Sequence, residues 1–439
     1  MDLIQRPRRL RGSENLRKMV TFGLVVAMGI LPISAHSNIV SAQGQEETKT
    51  LIMTREDDID SFDDLDGMTL DLSNKNIVPD ADGKVEIDVN DAVPQGNMAR
   101  NMIQGSLSFV IEGLSFEGMD GVFSVNRPIQ NIYVMGDYIY VTQTYTKTDY
   151  SKTDDKGNYV KLHGNVKISK CYRSSQYGKV VTVQNSMNIE EVGHGQNLVP
   201  YRVNGSQYFI VCANAINNNP ANDEIWEANK VGRITYQAGM TINKQNINTL
   251  NDTEYSNKTR TKFDDLRRCA VNLSPDGKKM LMFKQSRQGN VQYSFYDFSE
   301  VKRALGSNLS TDRSFRYNDK LAAACDSDVI NASNVPNGQL QGIAIDNDSN
   351  IYIVSDGDGT YDIRANLSVI FKKSKKTVYY NVYGDINEMI YYCKGETLEI
   401  EIEGIQVIND KIYIGIAPRE QNLRKKAFIY SIDNGLIHE

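Results

Sequence analysis

Histidine, tryptophan and closely spaced cysteines are what this 439-residue chain has least of. It holds four histidines and one tryptophan. Neither H-E-x-x-H nor H-x-H occurs, which removes the usual zinc-hydrolase signatures, and no G-x-S-x-G elbow sets up a serine nucleophile. The five cysteines, Cys171, Cys212, Cys269, Cys325 and Cys393, include no C-x-x-C, which argues against a zinc or thioredoxin-like site. Cys212, Cys269 and Cys393 lie among strand-forming residues, and free buried thiols are expected in preference to a disulfide framework. Past residue 42 no apolar run is long enough to span a membrane. Positive charge is also short: the formal charge is −6, and −10 without residues 1–42, which hold six basic and two acidic side chains. A chain of that sign is a poor general ligand for nucleic acid or anionic lipid.

What the chain has is a repeated pattern. Gln341–Asp356 reads Q-G-I-A-I-D-N-D-S-N-I-Y-I-V-S-D, in which two apolar β-favouring runs flank a cluster of turn residues. The arrangement returns at Glu403–Ile414 and at Gln130–Val141, and more loosely at Gln196–Val211 and Cys269–Phe283. Five hairpins at intervals of about 62–73 residues leave room for roughly four strands per repeat. The expected fold is therefore all-β, a five-bladed β-propeller with long loops, and an open sandwich is the competing architecture. One short helix is expected, over Ser299–Leu305.

Two segments stand before the repeats. Residues 1–42 have the plan of a secretory signal peptide: Arg6, Arg8, Arg9, Arg11, Arg17 and Lys18, then an apolar run from Val20 to Ile33, then Val40-Ser41-Ala42 as a small-residue exit. A membrane anchor is the alternative, but the run is short and contains Pro32. An extracellular, secreted product of a Gram-positive cell is expected. Residues 43–104 form an acidic extension with thin apolar content, in which Met68–Leu72 and Lys84–Val89 alternate like short strands. Calcium is the one cofactor weighed there, but neither Asp66-Gly67 nor Asp82-Gly83 has the surrounding oxygens of a twelve-residue calcium loop. Residues 105–439 carry the repeats.

In a propeller the first strand of each blade lines the central channel, so the residues leading into those strands ring one mouth of it. Here they are Gln130, Gln196, Arg268, Gln341 and Glu403, polar in every copy. Together with His194, in Gly193-His194-Gly195, they are the candidate ligand-binding residues. They suit hydrogen bonding to a sugar or peptide group, or alternatively the satisfaction of strand-edge backbone groups. No catalytic or metal-ligating residue is assigned, although a carboxylate pair for glycosidic chemistry is invisible in sequence.

Gly342–Asp346 followed by Asn350–Ser355 resembles the inner hairpin of NHL-type propeller repeats. A closer resemblance is to the helveticin J family of class III bacteriocins. It is carried by Gly193–Gln196, Ala270–Asp276, Tyr293–Phe298, Leu340–Ile353, Glu401–Ile408 and Phe428–Ile432, which occur in the family's order across roughly residues 105–435. The resemblance implies a large, heat-labile, secreted antibacterial protein that acts on the envelope of related Gram-positive cells. Its partner would be a glycan or other surface polymer of the target, with an immunity protein in the producer. It supplies no catalytic residues to carry over, and residues 1–104 lie outside it. A non-killing surface-binding module and a wall hydrolase or lyase are the alternatives.

Overall fold

The computed structural model describes residues 34–38, 50–54, 85–88 and 101–439, apart from 117–118, 120–126, 174–177, 218–225, 357–364, 385–388, 390, 394–399 and 421–422. The chain divides into two compact units, Met1–Ala99 and Arg100–Glu439. In the first, β1 (Ser34–Asn38), β2 (Thr50–Thr54) and β3 (Val85–Asp88) pair antiparallel in that order. β3 falls on the alternating Lys84–Val89 segment. The Met68–Leu72 piece, the two Asp-Gly pairs weighed for calcium, and the leader apart from Ser34–Asn38 lie outside the described residues.

The second unit begins with β4 (Asn101–Glu112). A first antiparallel run follows: β5 (Ile129–Met135), β6 (Tyr138–Thr153), β7 (Tyr159–Arg173) and β8 (Val180–Glu190). The second run is β9 (Leu198–Val203), β10 (Ser206–Asn217), β11 (Trp226–Ile234) and β13 (Asn248–Thr249). The short β12 (Thr241–Asn243) lies beside β8 in parallel. The third run is β14 (Leu266–Leu273), β15 (Lys279–Ser286), β16 (Val291–Asp297) and β17 (Ile330–Ala332), with α1 (Phe298–Gly306) and α2 (Asp319–Ala324) inserted before its last strand. The fourth run is β18 (Gly342–Ile345), β19 (Ile351–Asp356), β20 (Ala365–Ile370) and β21 (Thr377–Gly384). The fifth run has β22 (Ile400–Ile408), β23 (Lys411–Pro418) and β24 (Lys426–Asp433). Its fourth strand is β4, paired antiparallel to β24 from the far end of the chain.

The fold class is all-β as expected, and all five hairpins read from the sequence are present. Local chemistry explains them. Asn204 and Gly205 both take positive φ (48° and 82°) between β9 and β10, the twist a tight two-residue hairpin requires. Asn409 does the same between β22 and β23 (φ 54°). α1 starts where Asp297 caps the Ser299 amide at 3.0 Å, and it buries Phe298, Val301, Ala304 and Leu305. α2, unforeseen in the sequence, is six residues long and is capped by Asn318.

Many strands are apolar on both faces because each run packs against two others. On β15, Met280 and Met282 enter one buried cluster, shared with the second run, α1 and α2. Leu281 and Phe283 enter another, shared with the fourth run. On β19 the split repeats: Ile351 and Ile353 face the third run, and Tyr352 and Val354 face the fifth. Further clusters join the fifth run to the first and the first to the second. The first strands are neighbours in the same cyclic order, β5 beside β9, then β14, β18 and β22, and back to β5. The thirteen-stranded sheet arises because β4 also pairs in parallel with β21 and with β8.

Buried amides stitch this cycle. Asn131 Nδ2 donates to the Gln196 carbonyl at 2.6 Å. Asn197 Oδ1 accepts from the Val271 amide at 2.7 Å, and Asn272 Nδ2 donates to the Ile343 carbonyl at 2.8 Å. Gly404 N donates to the Gln341 carbonyl at 3.1 Å. Gln406 closes the circle with two bonds to the Val134 backbone, at 2.7 and 3.1 Å. All five cysteines are free and buried, as expected, and burial pushes the Cys171 thiol up to about 12.

Two predictions follow from these contacts. Replacing Asn197 by Ala strands the buried Val271 amide and is expected to cost about 2 kcal/mol in a urea melt. Lys284, fully buried on β15, donates to the Ser256 carbonyl at 3.1 Å, and desolvation lowers its pKa to about 7, with Cys325, Cys269 and Glu254 opposing. The unfolded chain therefore holds a proton there over pH 7 to about 10 that the folded chain releases, so folding gains stability as the pH rises through that window. Lys284→Met should raise the melting temperature at pH 6.5, and the gain should shrink by pH 10.

Candidate functional site

Local irregularities in three first strands set up the site. Pairing slips by one residue at Gln130 in β5, at Glu403-Gly404 in β22 and at Arg267 in β14. A bulge of this kind bends the strand and re-aims the side chain it carries. Gly404 is required at its bulge: its φ is +81°, and a Cβ there would lie 2.8 Å from the Asn131 Cα. Gln130 and Glu403, each under 4% exposed, meet where β5 and β22 start, and Gln130 Nε2 donates to Glu403 Oε1 at 3.2 Å. The same amide also bonds the Ile129 carbonyl at 3.2 Å.

These two residues line a cavity of about 390 Å3 together with His194, Gln341, Glu401, Arg127 and Arg424. Its far wall comes from the first and second runs: Thr144, Tyr145 and Thr146 on β6, His163 and Gly164 on β7, and Trp226 at the start of β11. The His163 and Trp226 rings are stacked, 5.5 Å between centroids and 4° from parallel. Thr146 Oγ1 lies 3.3 Å from His163 Nδ1 and holds that ring in place.

His194 reaches the cavity because the chain between β8 and β9 is pressed against its neighbours. Gly193 has φ +112°, and a Cβ on it would come within 2.9 Å of the Ala228 amide. Its own amide donates to the Gly164 carbonyl at 2.9 Å. Burial lowers the His194 pKa, aided by Arg268 and Arg127 and opposed by Glu227. At neutral pH the imidazole is an uncharged donor and acceptor.

Of the six residues expected to bind ligand, Gln130, His194, Gln341 and Glu403 share this cavity. Gln196 and Arg268 lie outside its lining. The Arg268 guanidinium contacts Glu227 Oε1 and Gln196 Oε1, each at 3.4 Å, and Gln285 Oε1 at 2.8 Å. Gln196 donates onward to the Leu340 carbonyl at 3.3 Å. Backbone groups are satisfied by Gln196 and Gln130, while Gln130, His194, Gln341 and Glu403 form part of the cavity wall and Arg268 does neither. His163, Trp226, Glu401, Arg127 and Arg424 were not anticipated. Sequence signals exist for two of them: Trp226 is the single tryptophan of a tyrosine-rich chain, and the Glu401-x-Glu403 spacing places both carboxylates on one strand face; His163, Arg127 and Arg424 carry none.

Among the described residues no group of three or more His, Cys, Asp or Glu side chains is gathered to hold a metal ion. No helix among them is long and apolar enough to cross a membrane. The cavity is suited to hydrogen bonding, with amides, carboxylates, guanidinium groups and a neutral imidazole around an aromatic wall.

An all-β protein with a polar cavity framed by the starts of its first strands is the class these features define. The chain belongs to the bacteriocin helveticin-J family, whose profile matches residues 125–434. No curated protein sequence matches it. Among solved structures it is similar to an α-L-arabinofuranosidase from Podospora anserina in complex with cellotriose, at 9% identity over 76% of this chain and 98% of that chain, TM-score 0.35. A second is a periplasmic gluconolactonase from Pseudomonas aeruginosa, at 9% identity over 70% and 76%, TM-score 0.31. Likeness at these scores decides neither fold nor chemistry.

The lowered His194 pKa has a direct check. In a pH titration followed by imidazole nitrogen shifts, the His194 midpoint is expected below 6.5, that of an ordinary histidine. A midpoint above 6.5 would contradict the desolvation of this half-buried ring.

Proposed function

We propose that this protein is a secreted class III bacteriocin that binds an envelope component of competing Gram-positive bacteria through the cavity and kills by disturbing the envelope, without catalysis. Family membership supports the antibacterial role. The observation that carries the binding reading is the convergence of Gln130, His194, Gln341 and Glu403 in one cavity, where separate repeats each supply a polar group. We read the five strand runs as five propeller blades, with the cyclic order of the first strands and the five inter-run clusters in support. In that reading β4 completes the last blade, residues 1–42 are the export signal, and the partner is a glycan or other surface polymer. A second reading, a wall hydrolase, is favoured by one observation: Glu401 and Glu403 face the same cavity.

The test is a viability count on a panel of Gram-positive strains treated with the purified protein, with dye uptake and soluble wall fragments followed in the same samples. Killing with dye entry and no fragments is the expected result. Fragments that precede death would favour the hydrolase, and binding without killing would leave a surface-recognition module. The double substitution Gln341→Ala with Glu403→Ala, at unchanged melting temperature, should weaken cell binding about tenfold or more, equivalent to roughly 1.4 kcal/mol.

A further inference from the structure

The make-up of the cavity narrows the ligand. It rests on the reading just given that the cavity is the recognition site. Its charged lining is balanced: Arg127 and Arg424 stand against Glu401 and Glu403. Just outside the lining Glu227 is shared by Arg268 at 3.4 Å and Arg267 at 3.7 Å, which leaves one further positive charge there but none in the cavity wall. A site for a phosphate-rich or carboxylate-rich polymer would need a cationic excess that this one does not have. The remaining wall divides into an aromatic part, the His163–Trp226 stack, and hydrogen-bonding groups: Gln130, Gln341, His194 and Thr146. A pyranose ring has that division. Its C–H faces are apolar and pack on an aromatic ring, and its edge carries hydroxyls that both donate and accept. The volume, about 390 Å3, falls within the ~300–1,000 Å3 of small-molecule sites and suits a short stretch of chain.

We infer that the cavity is a subsite for an uncharged oligosaccharide, a neutral hexose or N-acetylhexosamine chain, held with a sugar face toward the Trp226–His163 wall and its hydroxyls on Glu401, Glu403 and the amides. Buried polar groups of this kind discriminate strongly, because a ligand without the matching hydroxyls leaves them unpaired.

Trp226 is the single tryptophan of the chain, so its fluorescence reports on this cavity alone. The full-length protein is titrated with trimers of N-acetylglucosamine, glucose and galactose, and with a glycerol phosphate oligomer at 0.15 M salt. A saturable change in emission with at least one neutral trimer, and none with the phosphate oligomer, is expected. Glu401→Gln and Glu403→Gln, each checked by its melting temperature, should weaken that binding at least tenfold. A response to the phosphate oligomer, neutral trimers that leave the emission flat, or unchanged affinity in both folded variants would overturn the inference. Killing by a protein whose emission stays flat would remove the sugar subsite and leave the bacteriocin reading standing. Sugar binding by a protein that kills no strain would do the reverse.

Discussion

The second unit depends on a constraint at its centre: the first strands of neighbouring runs lie too close to leave their inward polar groups to solvent, so those groups must bond one another. Asn131, Asn197, Asn272 and Gln406 meet the demand with side-chain amides, each reaching the backbone of the next run. Between the fourth and fifth runs the backbones come closer still. A Cβ on Gly342 would lie 2.8 Å from Gly404, so the link there is made by main chain, from Gly404 N to the Gln341 carbonyl. Hydrophobic packing between runs supplies most of the stabilising area, but it is non-directional. The amides add direction, and with it the register of each first strand against the next.

The same crowding makes the cavity. Where β5 and β22 begin, regular pairing would place successive side chains on alternate faces. The bulges at Gln130 and Glu403-Gly404 break that alternation and turn polar side chains to one end. Arg268 and Glu227 then hold each other out of solvent behind the cavity. Two charges taken out of water together cost far less than one left alone. Desolvation keeps His194 neutral beside them, with Glu227 opposing and Arg268 assisting.

How much of this was legible in the sequence varied with the range of the interactions. The five hairpins could be read because each is local: turn residues, alternating apolar positions and β-branched side chains sit within about fifteen residues. Gln130, Gln341 and Glu403 could be read because they recur at one place in the repeat, and His194 because it stands between two glycines. Arg268 holds the same repeat position, but Glu227, on another run, draws it away from the cavity, and no local pattern records that. Trp226 and His163 stand on the third strands of different runs and meet only after folding. α2 is too short to have a helical period, and only its Asn318 cap marks it. The partner of β4 was hidden for the same reason, since an isolated strand does not reveal which edge it will join.

The place of β4 affects how the molecule is made. Its contacts with β24 join residues more than three hundred apart, as in the 2.7 Å bond from Ser108 to Ser431. A ribosome delivers β4 before every strand it pairs with, so the edge that takes β24 stays open until the last run has emerged. Loop closure of that length is slow, and an unpaired edge is a template for the wrong neighbour. Synthesis therefore passes through a stage in which four runs can pack while β4 waits for the other three strands of the fifth. The final event of folding is a contact between the two ends of the unit, and a cut near either end would undo it without touching the cavity.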